Sequence, residues 1–181
     1  MEFIPTDIDG LIKIQPLVHR DSRGFFLEWY SHEQFQKAGI TSRFVQDNHS
    51  CSNGTGVLRG LHFQKPPFAQ AKLIRVTQGG IFDVAVDLRT TSATFGKWLG
   101  FELNAENGTM LFIPAGFAHG FLTLEPCTHV EYKVDAYYAP HHDSGIIWND
   151  PQLKVAWPTA RPVLSAKDAN LPSLHDNPSP F

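Results

Sequence analysis

The chain reads as an all-β protein, an antiparallel sandwich or barrel, on three observations. Short apolar runs of strand length recur from Val57 onward, Gly, Pro, Asn and Asp separate them, and no helical pattern lies between them. In order, the runs cover residues 72–76, 81–88, 98–103, 110–113, 120–124 and 130–134. Gly79 and Gly80 supply the turn between the first two. Along 81–88 the alternation puts Phe82, Val84, Val86 and Leu88 on one face and Asp83, Ala85 and Asp87 on the other.

Ahead of these strands the sequence predicts one helix. It starts at Ser31, where Ser31 and Gln34 fit a capping box; Phe35 and Ala38 give it apolar surface, and Gly39 stops it about two turns later. Beyond Pro140 the pattern turns irregular and Pro-rich, with Trp148, Trp157 and Pro162 as packing anchors. We expect a single domain over 1–181, with a core over about 45–140 that an N-terminal arm and a C-terminal extension complete.

Composition narrows the function classes. Hydrophobic residues make up 42% and charged residues 18%, which excludes a disordered chain. A net charge of −3 leaves no bulk electrostatic signature for nucleic acid, although local Arg and Lys can still receive a small anion. No apolar run approaches the ~20 residues needed to cross a bilayer, and the start lacks a secretory pattern. Cys51 and Cys127 match no metal or redox spacing and read as free thiols in a reducing compartment. The expected setting is cytoplasmic, with neither membrane nor nucleic acid as partner.

Two histidine segments carry chemistry. From Gly108, five residues lead to Pro114-Ala115-Gly116-Phe117-Ala118-His119, which resembles the second cupin motif: Pro and Gly make a tight turn, and the histidine points into a barrel mouth. The first cupin motif supplies His-x-His and then a Glu. The matching segment here is Gly56-Val57-Leu58-Arg59-Gly60-Leu61-His62-Phe63-Gln64, with Gln64 in place of the second histidine and Gln70 and Lys72 near the place of the glutamate. An amide and a cation are poor ligands for a divalent transition ion, so no metal is expected. Spacing alone leaves His62 open between a hydrogen-bonded core histidine and a functional group. Arg59 and His62 lie three apart and would face opposite sides of a regular strand; a bulge at Gly60 would bring both into one cavity. Asp83 is a weaker candidate, as a partner for His62 or His119.

Taken together, several segments resemble the dTDP-4-dehydrorhamnose 3,5-epimerase family. They are Asp21-Ser22-Arg23-Gly24-Phe25-Phe26-Leu27-Glu28, Phe44-Val45-Gln46-Asp47-Asn48-His49-Ser50, Arg59 to Gln64, Gln70-Ala71-Lys72-Leu73, Pro114 to Phe121, Ile147-Trp148-Asn149-Asp150-Pro151 and Leu164-Ser165-Ala166-Lys167-Asp168. Each is modest alone; seven in order, over about 3–172, are specific. The resemblance implies a dimeric cupin-type jelly roll (a double-stranded β-helix) with short peripheral helices. It also implies a dTDP-4-keto-6-deoxy sugar as substrate, and inversion at C3 and C5 through an enolate without a cofactor.

The same resemblance implies roles. His62 matches the base, Asp168 the carboxylate that orients it, Tyr132 the opposing acid, and Lys72 a cation at the enolate oxygen. Plainer readings stand beside two of these: Tyr132 shares its strand parity with Val130 and Val134, and Ser165 with Asp168 forms a capping-box pattern. Arg59, His119 and Lys167 match anion-binding positions, Gln46, Asn48 and Asp143 polar contacts, and Tyr138 an aromatic that stacks on thymine. Arg23 and Glu28 match residues that reach the partner subunit's site in a homodimer. His19, Asp143 and the stretch 172–181 depart from the family pattern, which leaves a single-centre epimerase as the alternative substrate reading. A metal-dependent cupin enzyme and a non-catalytic sugar-binding cupin are the alternatives outside it.

Overall fold

In the computed structural model, which describes residues 1–181, thirteen strands and two short helices follow one another along the chain. The strands are β1 (Glu2–Pro5), β2 (Ile12–Gln15), β3 (Val18–Asp21), β4 (Gly24–Leu27), β5 (Gln46–Ser52), β6 (Leu58–Gln64) and β7 (Lys72–Gln78). There follow β8 (Gly80–Asp87), β9 (Trp98–Asn104), β10 (Met110–Ile113), β11 (Phe117–Thr123), β12 (Thr128–Val134) and β13 (Asp143–Gly145). Helix α1 (His32–Lys37) precedes β5, and α2 (Ala166–Ala169) lies in the C-terminal region. One sheet runs β1-β2-β10-β7-β12-β5 and faces a second, β13-β6-β11-β8-β9, while β3 and β4 form a separate hairpin. All ladders are antiparallel. This is the all-β antiparallel arrangement that the strand spacing predicts, and the jelly roll that the family resemblance implies.

Apolar side chains occupy three layers. Ile74, Val76, Ile81, Ala85, Leu111, Phe117 and Phe121 fill the space between the sheets. Leu58, Leu61, Phe63, Val84, Val86, Leu88 and Leu122 lie on the outer face of the five-stranded sheet, covered by Ile146, Leu153, Trp157 and Leu174 of the C-terminal region. On the outer face of the other sheet, Phe35 of α1 packs with Ile14, Leu73, Met110 and Phe112. The alternation along 81–88 therefore separates two buried faces, and not a buried from a solvated one: Asp83 and Asp87 are both fully buried.

The bend that sets up the interior lies in β6. Leu58, Leu61 and Phe63 belong to the outer apolar layer, so the strand alternates normally after Leu61 but carries one extra residue at Gly60. Across the ladder His62 faces His119 while Arg59 faces Phe121, so Gly60 and Leu61 stand against the single residue Gly120, which is a bulge. Gly60 has φ +125°, and a Cβ built there would stand 2.6 Å from Gly120 Cα and 2.7 Å from His119 O. Only glycine permits this approach, and the bulge turns Arg59 and His62 toward the same interior.

Two sequence expectations change. The capping box at α1 does not form: the Ser31 side chain makes no cap bond, and Gln34 Nε2 donates instead to Glu28 Oε1 at 2.5 Å. The carboxylate is a charge-assisted acceptor and the stronger partner for the amide. The stretch 172–181, in which the sequence showed no motif, is packed. Leu174 N donates to the buried Asp150 carboxylate at 2.7 Å, Ser179 Oγ donates to Leu88 O, and the Phe181 ring meets Phe63 edge-on at 5.7 Å.

The bulge yields a test. Gly60→Ala must strain a left-handed backbone and force the β6 and β11 backbones apart, so it should cost about 3 kcal/mol or more in denaturant unfolding. Gly39→Ala, at φ +84° with open space around it, should cost only ~1 kcal/mol. Equal losses for the two variants would show that the close approach is not what demands glycine.

Candidate active site

Polar side chains replace the apolar ones where the space between the sheets opens. From the five-stranded sheet come Arg59, His62, Gln64 and His119; opposite them stand Gln46, Asn48 and Ser50 of β5, Lys72 of β7 and Tyr132 of β12. They line a cavity of two lobes, about 340 Å³ and about 290 Å³. His62, Lys72, Tyr132 and Lys167 line both lobes and so mark their junction. Gln46, Asn48, Tyr138 and Asp143 belong to the first lobe, Ser50, Arg59, His119 and Asp168 to the second.

The junction contains a carboxylate–imidazole pair. His62 Nε2 meets Asp168 Oδ1 at 2.5 Å, and Asp168 is buried while His62 remains open to the cavity. Burial pushes the Asp168 carboxyl up, but its bond to His62, Ser165 and the charge of Lys167 outweigh that and hold it below the usual carboxylate range. Asp168 makes both a capping contact and a contact to His62. Its backbone N–H donates to Ser165 Oγ at 3.0 Å, starting α2, and that single turn directs the carboxylate at His62. With Nε2 engaged, the ring presents Nδ1 to the cavity.

A second pair lies deeper. His119 Nε2 meets Asp83 Oδ2 at 2.8 Å, and Asp83 Oδ1 is buried without a partner. Each histidine is thus tied to its own carboxylate, and no three His, Cys, Asp or Glu side chains converge as a metal-ligand set. Gln64, at the second histidine of the metal-binding pattern, bonds to backbone instead: Nε2 donates to Phe68 O at 2.8 Å and Oε1 accepts from Ala139 N at 2.7 Å.

Lys72 and Tyr132 face this dyad. Burial pushes the Lys72 ammonium down to about 8, against the pull of Asp143 and Asp83, so it is still mostly charged at neutral pH. Burial raises the Tyr132 hydroxyl above its ordinary value; Arg59 opposes this and Asp143 adds to it. A neutral phenol, a desolvated cation and a carboxylate-backed imidazole therefore meet around one space. Such a set can remove a carbon-bound proton, stabilise the resulting oxyanion and return a proton from another side.

The remaining site residues divide clearly. Arg59 donates to Ser52 Oγ at 3.2 Å and Cys51 O at 3.3 Å. Lys167 and Tyr138 both donate to Asp143 Oδ2, at 2.5 and 3.2 Å, across the first lobe. Arg23 and Glu28 do not reach this cavity within their own chain. Arg23 sits at the β3–β4 turn, 88% exposed and paired with Asp21 at 2.5 Å, beside exposed Phe25 and Phe26. Sequence reasoning missed Ser50, Phe63, Phe121 and Ser165 among the lining residues and treated Gln64 and Gln70 only as absent ligands. The polar alternation Gln46, Asn48, Ser50 is the signal that would have found Ser50, since it marks a strand whose inner face meets water.

Similarity to known proteins agrees with this geometry. The model of the dTDP-4-dehydrorhamnose 3,5-epimerase family matches residues 5–176. The dTDP-4-dehydrorhamnose 3,5-epimerase of Methanothermobacter thermautotrophicus is 50% identical, over 97% of this chain and 96% of its own. A crystal structure of the Bacillus anthracis enzyme of that name, with TDP and PPi bound, superposes with TM-score 0.94 at 51% identity, over 96% of this chain and 99% of that one. The Legionella pneumophila enzyme in complex with dTDP-4-keto-L-rhamnose gives TM-score 0.92 at 45% identity, over 96% and 93%. No helix of the chain is long and apolar enough to cross a membrane.

The Lys72 environment has a stability consequence. Its folded value of about 8 lies below the ordinary 10.5, so between those limits the unfolded chain binds more protons and stability rises with pH. Below about 8 the cost of the buried ammonium is fully present. Lys72→Met should therefore stabilise the protein by ~2 kcal/mol in urea unfolding at pH 7, a gain that narrows toward pH 10. A destabilised variant at pH 7 would show that contacts offset the ammonium's burial.

Proposed function

The chain belongs to the dTDP-4-dehydrorhamnose 3,5-epimerase family, and we propose that its isomerase reaction takes place at the junction of the two lobes, with His62 as base, Tyr132 as acid and Lys72 at the enolate oxygen. The enzyme epimerises dTDP-4-dehydro-6-deoxy-D-glucose at C3 and C5 to dTDP-4-dehydro-L-rhamnose. The observation that carries the assignment of roles is the 2.5 Å His62–Asp168 pair facing a half-buried lysine and a tyrosine across one cavity.

The C4 ketone acidifies the hydrogens on C3 and C5. His62 Nδ1 takes one of these protons, and the released electron pair moves through the C–C bond onto O4. Asp168, held anionic, stabilises the imidazolium and fixes which ring nitrogen does the work. The Lys72 ammonium, poorly hydrated where it stands, lowers the energy of the enolate oxygen more than a solvated one would. As the enolate collapses, the carbon takes the Tyr132 hydroxyl proton on the opposite face. The phenolate then regains a proton from solvent and the imidazolium releases one, so each inversion is proton-neutral and needs no electron acceptor.

Recognition of the sugar nucleotide follows the lining. Lys167, Arg59 and His119 surround the junction with donors for the diphosphate oxygens. Tyr138, 57% exposed on the first lobe, offers a ring for the thymine, while Gln46, Asn48 and Asp143 offer polar contacts to the sugar nucleotide. The exposed hairpin supports the last part of the reading. Phe25 and Phe26 are 64% and 69% exposed next to Arg23, an apolar surface that fits a second copy of this chain. In that homodimer Arg23 and Glu28 reach the partner's nucleotide.

Turnover of the dTDP-4-keto sugar in deuterated water tests the chemistry. Deuterium should enter at C3 and at C5, His62→Ala should lose exchange at both by about 10²–10⁴-fold, and Tyr132→Phe should fold normally while losing inversion. Label at one carbon only would leave a single-centre epimerase; exchange in His62→Ala at half the normal rate would remove its role as base. Subunit mixing tests the dimer. Arg23→Ala and His62→Ala homodimers should each be impaired, and a mixed population should regain about a quarter of wild-type activity, because half its dimers hold one complete site. No recovery would place Arg23's action within its own chain.

A further inference from the structure

The segment that carries Tyr138 leaves β12 without regular structure, yet its backbone is bonded at successive residues to side-chain amides. Gln64 Nε2 donates to Tyr137 O at 3.2 Å and its Oε1 accepts from Ala139 N at 2.7 Å, on either side of Tyr138. Tyr138 N donates to Gln46 Oε1 at 3.1 Å, and Gln70 Nε2 donates to Ala136 O at 2.7 Å. Gln64 also donates to Phe68 O at 2.8 Å and is 4% exposed. The three glutamines come from β5, β6 and the approach to β7, so both sheets hold one short stretch of chain. On the far side Tyr137 and Tyr138 stand in solvent, 67% and 57% exposed.

A buried amide that satisfies two backbone groups of a loop, and is itself anchored to a neighbouring segment through Phe68 O, holds that loop in place, because a departure leaves donors and acceptors unpaired away from water. An exposed aromatic on such a loop meets its ligand without first having to be ordered, and association loses less entropy. Gln64 occupies the position where a metal-binding cupin motif carries its second histidine; here that position braces a loop.

We propose that Gln64, supported by Gln46 and Gln70, is a positioning residue for nucleotide recognition: it clamps the 136–139 backbone so that the Tyr138 ring stands ready for the base. The inference rests on the reading that Tyr138 stacks on thymine. Gln64 contacts no reacting atom, and its contribution is to binding and not to proton transfer.

A double-mutant cycle separates the two claims. Gln64→Met keeps the side-chain length and removes all three bonds. It should raise the KM for the sugar nucleotide, and the Kd of dTDP measured by calorimetry, by roughly three- to tenfold, with kcat changed by less than about twofold. In a Tyr138→Ala background the same substitution should add less than about twofold, because the group being positioned is gone. An undiminished penalty in that background overturns the clamp, as does a fall in kcat at unchanged KM. Tyr138→Ala that binds dTDP like the wild type overturns the stacking reading, and the proposal with it. Should Gln64→Met fail to fold, Gln70→Met removes a single bond to the same segment and should give the same pattern in smaller degree; a kcat effect there would equally overturn the proposal.

Discussion

The chemistry of this molecule depends on one backbone approach, that of Gly60 to Gly120. Two adjacent strands come closer there than any side chain allows, and the extra residue taken up by β6 reverses the facing of everything before it. Without the bulge, alternation would put Arg59 on the apolar outer face whenever His62 pointed inward. A guanidinium has no place among Leu58, Leu61, Leu122 and Trp157. The bulge thus resolves a conflict between the strand period and the need for two polar groups in one cavity, and it does so beside His119, on the neighbouring strand.

Once the interior holds charge, the protein must limit what that charge costs. The two histidines are each bound to a buried carboxylate, which keeps the anions partnered. Lys72 has no such partner: the nearest opposite charges, Asp143 and Asp83, act on it without a hydrogen bond, and burial prevails. An unpaired, partly desolvated ammonium lowers stability, and it also interacts most strongly with a charge that appears only during reaction. Asp143 meanwhile engages Lys167 and Tyr138, so its carboxylate is occupied at the cavity mouth and not beside Lys72.

How much of this the sequence revealed follows from what each residue has to do. The core strands were legible because their apolar residues alternate or run continuously; His62, Lys72 and Asp168 stood out as candidates because family motifs contain them, and Tyr132 through the same resemblance although it lies on a strand between those motifs. The strand β5 was not, since Gln46–Ser52 contains no large apolar residue. Its inner face lines a wet cavity, and hydropathy has no signal for a strand of that kind. The hairpin β3–β4 and the short β13 are equally silent, being exposed or three residues long. The cap at Ser31 was misread because Glu28, six residues before Gln34, offers the amide a charged acceptor that a three-residue spacing rule does not consider. The stretch 172–181 shows no motif because its role is to cover: Leu174 and Phe181 seal the outer layer by packing that many apolar residues could provide.

Gln64 joins the architecture to the chemistry. In a metal-binding barrel an imidazole at this position would share in holding a cation that polarises the substrate. Here the donors near the cavity centre are an amide engaged by backbone and two histidines engaged by separate carboxylates, a poor ligand set, and the proposed mechanism gives the positive charge at the reacting oxygen to a side chain. A lysine can fill that role because burial lowers its proton affinity only to about 8 and leaves it charged at neutral pH. The same value sets a limit that a metal ion of fixed charge would not: above about 8 the ammonium is progressively lost. With Lys72 in the proposed role, stabilisation of the enolate is tied to the hydration of a single side chain, and the residues around Lys72 bear on the proposed reaction as directly as those that would touch the sugar.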